Sequence, residues 1–238
     1  MIFSSYGHDT HAGNVRSHNE DSYKVDPGFG LSVLADGMGG HEGGEVASHI
    51  VVEHVDKAVR NGEPLAQAVV GAHHAVLEAV EKGQGRAGMG STALALLVNS
   101  GNFEIAWVGD SRAYLWNGEQ LTQLTKDHSL VQHLVDQGEI TEEEARTHPQ
   151  RNYITQAIGM TGLRKLQVGQ INGRLHDGQQ ILLCSDGLSG EVSTPEMEEI
   201  LKLDIAPQQK VDLLIQKALD NGGGDNVTVL LIAAKHEN

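Results

Sequence analysis

Four aspartates constrain this chain more than any other feature, because each stands where an apolar run of strand length begins or ends. Leu31-Ser-Val-Leu-Ala runs into Asp36-Gly37, Ile181-Leu-Leu-Cys-Ser into Asp186-Gly187, and Trp107-Val-Gly into Asp110, while Asp225-Asn226 leads into Val227-Thr-Val-Leu-Leu-Ile232. A strand end holds a carboxylate rigidly, and a neighbouring glycine lets a backbone carbonyl approach a ligand. Carboxylates gathered together repel one another unless they are protonated or bound to cations. No lysine or arginine accompanies most of these, so divalent metal is the expected counter-charge. An all-oxygen set suits Mg²⁺ or Mn²⁺ and argues against zinc, which recruits Cys or His. Two such ions held together are a standard device for activating water and neutralising a phosphoryl transition state. The competing reading is that each aspartate caps a turn, Asp-Gly being a common turn dipeptide. That serves for any one site; four sites, each beside a strongly apolar run, favour the metal.

The remaining pattern predicts an α+β fold. Helical periodicity runs through Ala47, Ile50, Val51, His54, Val55 and Ala58, and again from Leu65 to Val80, with Pro64 at a helix start and Gly83 at a helix end. Thr194-Pro195 and Pro207 open a second pair, the latter carrying Val211, Leu214, Ile215 and Ala218 on one face. Strand-like runs fill Leu31–Ala35, Thr92–Val98, Phe103–Val108, Ala113–Trp116, Gln180–Cys184 and Val227–Ile232. Strands that arrive in groups, with helix pairs between or after them, argue for layering of segregated elements. No linker divides the 238 residues, so 1–238 reads as a single domain. The polar stretch 127–152, with a capping-box pattern at Thr141 and Glu144, reads as an insertion over the surface.

A net charge of −15 excludes nucleic acid as the expected partner, since phosphate backbones are bound by clustered Lys and Arg. The N-terminus lacks a basic region and a long apolar stretch, and no run approaches the roughly 20 apolar residues of a membrane span. The expectation is a cytoplasmic protein without membrane attachment. The single cysteine, Cys184, lies in an apolar run without a cationic neighbour and reads as buried packing. His49 and His54 are five apart, on different helix faces, so they do not form a zinc motif. His8 and His11 read as part of a solvated N-terminal loop. The glycines from Gly37 to Gly44 enter a helix, but no Walker lysine follows them.

Arg16 precedes Glu20 and Asp21 by four and five positions, which alone reads as a surface charge cluster, although arginine is suited to grip phosphate bidentately. Together the motifs resemble a known family, the metal-dependent PPM or PP2C-type protein serine/threonine phosphatases, particularly the compact bacterial members. The resemblance runs in order through Arg16 with Asn19-Glu20-Asp21, Ala35-Asp-Gly-Met-Gly-Gly40, Gly90-Ser-Thr-Ala93, Val108-Gly-Asp-Ser-Arg-Ala-Tyr114, Leu124-Thr-Lys-Asp-His-Ser129, Ile154-Thr-Gln-Ala-Ile-Gly159, Cys184-Ser-Asp-Gly-Leu188 and Gly224-Asp-Asn-Val-Thr228.

The resemblance implies a central β-sandwich of two antiparallel sheets flanked by helix pairs, in α-β-β-α layers, with the metal site at one end. It implies that Asp36 bridges two tightly bound Mn²⁺ or Mg²⁺ ions, that Gly37 offers its carbonyl to one, and that Asp186 and Asp225 complete the other. Asp110 would share a weaker third ion with Asp186. Glu20 and Asp21 would organise coordinated water, and Arg16 would hold the substrate phosphate. The stretch 127–152 would be a mobile flap. The implied activity is hydrolysis of phosphoserine and phosphothreonine in proteins by metal-activated water, by a monomer opposing a serine/threonine kinase. An inert phosphoprotein-binding or metal-sensing module, and a phosphatase of small phosphoesters, are the alternatives. Gln156 stands where many relatives have arginine. Met38 stands where animal members have a histidine proposed as general acid, a role that His41 or water could fill.

Overall fold

The runs 93–98 and 103–108 read as nearly unbroken apolar because both of their faces are covered, one by helices and one by a second sheet. The computed structural model describes residues 2–39 and 43–236. Along the chain these form β1 (Ile2–His11), β2 (Asp21–Asp26), β3 (Leu31–Met38), α1 (Gly43–Arg60), α2 (Leu65–Glu81), β4 (Gly90–Ser91), β5 (Ala93–Asn99), β6 (Asn102–Val108), β7 (Arg112–Trp116) and β8 (Leu121–Gln123). There follow α3 (Leu130–Asp136), α4 (Glu142–Thr147), β9 (Gly169–Arg174), β10 (Gln180–Cys184), α5 (Asp186–Ser189), α6 (Thr194–Leu201), α7 (Pro207–Asp220) and β11 (Val227–His236).

One sheet has the order β1-β11-β10-β7-β8; the other is β2-β3-β5-β6-β9, with β4 paired to β3, and the strand pairs are antiparallel. Leu34, Leu94, Leu96, Ile105, Leu183 and Leu230 fill the space between the sheets. On the outside, α1 and α2 bring Val51, Val55, Leu65 and Val76 against Val33, Ala95 and Ala106. The other sheet is covered by Met197, Leu201, Val211 and Leu214 of α6 and α7. Successive residues such as Ile105 and Ala106 thus enter different cores, as the two-residue period of a strand requires. The α-β-β-α expectation holds.

Local signals hold as well. Pro64 precedes α2, Gly83 follows it at φ +70, and Thr141 and Glu144 form their capping box. α6 opens at Thr194-Pro195 as expected, and its N-cap residue Ser193 donates its hydroxyl to the Glu196 carboxylate at 2.7 Å. One expectation is corrected: His8 and His11 lie in β1, not in a loop. That strand pairs with β11 over ten positions, and His8 Nδ1 stands 3.2 Å from the Tyr23 hydroxyl. Alternating polar residues are tolerated there because β1 is an edge strand. In the 127–152 stretch, α3 and α4 lie over the surface and α4 has no buried residue. Among the described residues no helix is long and apolar enough to cross a membrane.

Candidate active site

Antiparallel pairing explains why residues far apart in sequence meet. Asp36, near the end of β3, is the register partner of Asp21 at the start of β2. Asp186 follows β10 and Asp225 precedes β11, and these strands are antiparallel neighbours, so both residues emerge at one end of the second sheet. Asp110 follows β6, whose Val108 pairs with Ala93 of β5; Thr92, just before it, donates its N–H to the Asp36 carbonyl at 2.8 Å. All five carboxylates converge on the same end of the sandwich, each near a strand terminus.

Glycine makes the convergence possible. A Cβ on Gly37 would lie 2.1 Å from the Gly44 carbonyl oxygen and 2.5 Å from that of Glu20, and one on Gly187 would lie 2.0 Å from that of Asn226. Each Asp-Gly pair therefore sits where another backbone is pressed against it, which only a residue without a side chain allows. The Glu20 carboxyl lies against Gly44 at the first turn of α1, where a Cβ would be 2.8 Å from its Cδ.

Hydroxyls complete the frame. Thr228 Oγ1 donates to Asp21 Oδ2 at 2.6 Å, while Asp36 N–H donates to Thr92 Oγ1 at 2.9 Å. The Arg16 guanidinium reaches in from the loop after β1 and donates to Asp225 Oδ2 at 2.8 Å; Arg16 and Asp225 remain partly exposed. Arg112 is paired with Asp127 by three N–H···O contacts of 2.7 to 3.1 Å, which ties the root of the 127–152 stretch to the turn bearing Asp110. That pair escaped sequence reading, because nothing in sequence brings residues fifteen apart into register.

The electrostatics are those of acids forced together. Burial and the charges of Asp21, Asp186, Asp110 and Asp225 raise the Asp36 carboxyl well above the ordinary carboxylate range. Burial, with Asp186 and Asp127 nearby, pushes Asp110 up to about 8. Asp21 is pushed up to about 7, mainly by burial and against the hydrogen bonds from Thr228 and Ser185. Asp186 is raised by burial and Asp225, opposed by a hydrogen bond from Asp36. Oxygen Oδ1 of Asp21 is buried with no hydrogen-bond partner. An oxygen-only cluster with a spare buried acceptor is the donor chemistry that hard divalent cations require. Among the described residues no three Asp, Glu, His or Cys side chains stand close enough together to hold a metal ion as they are placed.

These shifts carry a stability signature. Asp21 and Asp110 have an ordinary value of 3.8, so between about pH 4 and 8 the folded metal-free protein holds protons that the unfolded chain has released. Stability is then fully present below the unfolded value and is lost as pH rises through the folded one. In chelator, the melting temperature should fall between pH 5 and 8, and Mn²⁺ should reverse the fall, with a gain at pH 8 on the order of 5 °C or more. A Mn²⁺-induced gain that is the same at pH 5 and pH 8 would contradict this.

Other sequence candidates separate from the cluster. Cys184 is buried and its thiol is pushed up to about 12 by burial, as packing predicts. His73 Nδ1 accepts the Gly159 N–H at 3.0 Å, a structural role. Gln156 Oε1 accepts the Gln167 N–H at 3.2 Å, so this side chain braces a neighbouring loop. His41 lies outside the described residues.

Comparison with known proteins gives a consistent result. A family model described as protein phosphatase 2C matches residues 10–217. The chain is 37% identical over 236 residues to the serine/threonine phosphatase stp of Listeria monocytogenes, with 94% of this chain and 93% of that protein covered. It is 42% identical over 226 residues to the serine/threonine protein phosphatase PstP of Mycobacterium tuberculosis, covering 92% of this chain and 43% of that longer protein. A crystal structure of the Mycobacterium tuberculosis phosphatase superposes with a TM-score of 0.88 at 38% identity, covering 99% of this chain and 100% of that one. A structure of the PstP catalytic domain in complex with two manganese ions also gives 0.88, at 36% identity and with the same shares of the two chains covered.

Proposed function

The chain belongs to the protein phosphatase 2C family, and we propose on that premise that its carboxylate cluster holds two tightly bound ions and a weaker third. It is a metal-dependent serine/threonine protein phosphatase, and its substrates are phosphoproteins. The observation that carries the site assignment is the gathering of Asp36, Asp110 and Asp186, the first and last partly buried and Asp110 buried, with no cationic side chain hydrogen-bonded to them among the described residues. In this reading Asp36, the Gly37 carbonyl, Asp186 and Asp225 would hold the tight pair, and Asp110 with Asp186 would hold the weaker ion. Mn²⁺ and Mg²⁺ both suit these oxygens. When bound, the ions would lower the pKa of water and neutralise charge developing on the phosphoryl oxygens.

The chain's own groups do the rest. Glu20 and the spare oxygen of Asp21 would accept hydrogen bonds from water and orient it. Arg16, half exposed at the rim and already directed at Asp225, would take the phosphate through two parallel N–H···O bonds. A cleft lined by Asp110, Asp186, Lys126, Arg146, Arg151 and Asn152 leads from the cluster to the 127–152 stretch, which supports reading that stretch as a flap over the bound phosphopeptide. Residues 1–238 would act as one monomeric, cytoplasmic domain opposing a serine/threonine kinase.

Arg16→Ala tests the phosphate assignment. Contacts made equally in ground and transition states appear in KM, so KM for a phosphopeptide should rise on the order of tenfold while kcat changes little. Parallel kinetics on a sugar phosphate should give a far lower kcat/KM. An Arg16→Ala variant with unchanged KM and lost metal affinity would assign the arginine to supporting the acids instead.

A further inference from the structure

The loop that carries Arg16 is held from outside itself. Between β1 and β2, the Asn226 amide reaches both flanks of the arginine: Nδ2 donates to the carbonyls of Ala12 at 2.9 Å and His18 at 2.8 Å, and Oδ1 accepts the Glu20 N–H at 2.8 Å. The two donors and an acceptor of one nearly buried side chain are used on this one loop. Asn14 makes the converse attachment. Its Nδ2 donates to the carbonyls of Leu219 at 2.8 Å and Gly222 at 3.0 Å, and its backbone N–H donates to that of Gly223 at 2.7 Å. The loop also lies directly on the segment before β11, since a Cβ on Gly13, at φ +80, would stand 2.2 Å from the Asp225 carbonyl oxygen.

Arginine is long, and its guanidinium reads a phosphate only if the fork arrives already oriented. Val15, Arg16 and Ser17 are exposed between the two anchors, so nothing packed around them fixes the backbone. We infer that Asn226 and Asn14 are positioning residues for the phosphate grip: through backbone carbonyls and one N–H they set the shape of the 12–20 loop, and so aim Arg16 at the carboxylate cluster. In this role neither would touch the substrate. The inference rests on reading Arg16 as the residue that holds the phosphate. It also explains why the asparagine directly follows a metal-ligand candidate: Asp225 and Asn226, adjacent in sequence, bind the loop and the cluster to one piece of backbone.

The test is steady-state kinetics on a phosphopeptide with Mn²⁺, for Arg16→Ala, Asn14→Ala, Asn226→Ala and the two double variants. Folding is followed by circular dichroism and Mn²⁺ affinity by calorimetry. Loss of preorganised binding should raise KM about three- to tenfold for Asn14→Ala and about tenfold for Asn226→Ala, with kcat within about threefold. In the Arg16→Ala background neither change should raise KM further, because groups that act through one another are not additive. Asn14 is exposed and apart from the acids, so its variant should keep full Mn²⁺ affinity and decides the matter if Asn226→Ala does not fold. Unchanged KM in folded variants overturns the inference, as does a KM rise undiminished without Arg16. Unchanged KM in Arg16→Ala alone removes the phosphate-grip reading itself, and the inference with it.

Discussion

Asp36→Ala is expected to lower kcat on a phosphopeptide by 10³-fold or more, on the order of the stabilisation that a metal centre gives to phosphoryl transfer. The residue's place in the cluster is the reason. Its backbone is locked on both sides, with the N–H donated to Thr92 Oγ1 and the carbonyl receiving the N–H of Thr92 and the hydroxyl of Ser91. Its carboxyl feels the charges of the other four aspartates. In the proposed assignment, removing it takes away the group that would join the tight pair of cations. The fold should survive, because deleting one acid of the cluster relieves like-charge repulsion. Three readouts belong together: kcat near that of the wild type in chelator, loss of the Mn²⁺-induced gain in melting temperature, and an unchanged or raised melting temperature in chelator. Wild-type kcat in this variant would refute the ligand assignment.

The sequence displayed this acidic centre better than the frame around it. Asp36, Asp110, Asp186 and Asp225 stood out because strands buried on both faces are strongly apolar and make an acid at their ends conspicuous. The edge strands carried no such contrast. β1 reads Ser-Tyr-Gly-His-Asp-Thr-His from residue 5, with much of its polar character facing solvent at a sheet margin, so around His8 and His11 the pattern is that of a loop. β9 has a single apolar residue, Ile171, on its inward face, between two glycines: Cβ atoms on Gly169 and Gly173 would lie 2.3 and 2.4 Å from the rings of Trp107 and Phe103, which occupy that space. β2 carries no apolar run that marks it as a strand, so the register that sets Asp21 opposite Asp36 is not legible in the sequence, conspicuous as Asp36 is. The asparagine attachments at 14 and 226 and the Arg112–Asp127 pair depend on tertiary proximity alone.

Asp110→Ala should separate the third cation site from the tight pair. Asp110 stands in a turn apart from β3 and β11, with Gly109 at φ +105 held against Thr92 and bonded in both directions to His128, whose N–H donates to the Gly109 carbonyl and whose Nδ1 accepts the Gly109 N–H. This frame, with the Arg112–Asp127 pair beside it, does not involve the Asp110 carboxyl, so the turn should persist in the variant. The charges that act most on this carboxyl are those of Asp186 and Asp127, which makes Asp186 its partner in the cluster. Removal should therefore leave Asp36, Gly37, Asp225 and Asp186 able to hold the tight pair, and calorimetry should show the high-affinity ions retained. Turnover on a phosphopeptide should nevertheless fall by about 10²-fold, the size of a lost contribution to proton transfer. Full activity would reduce Asp110 to a turn residue. Loss of all metal binding would place it in the primary pair, and the three-site assignment would give way to one in which Asp110 and Asp186 hold a principal ion together.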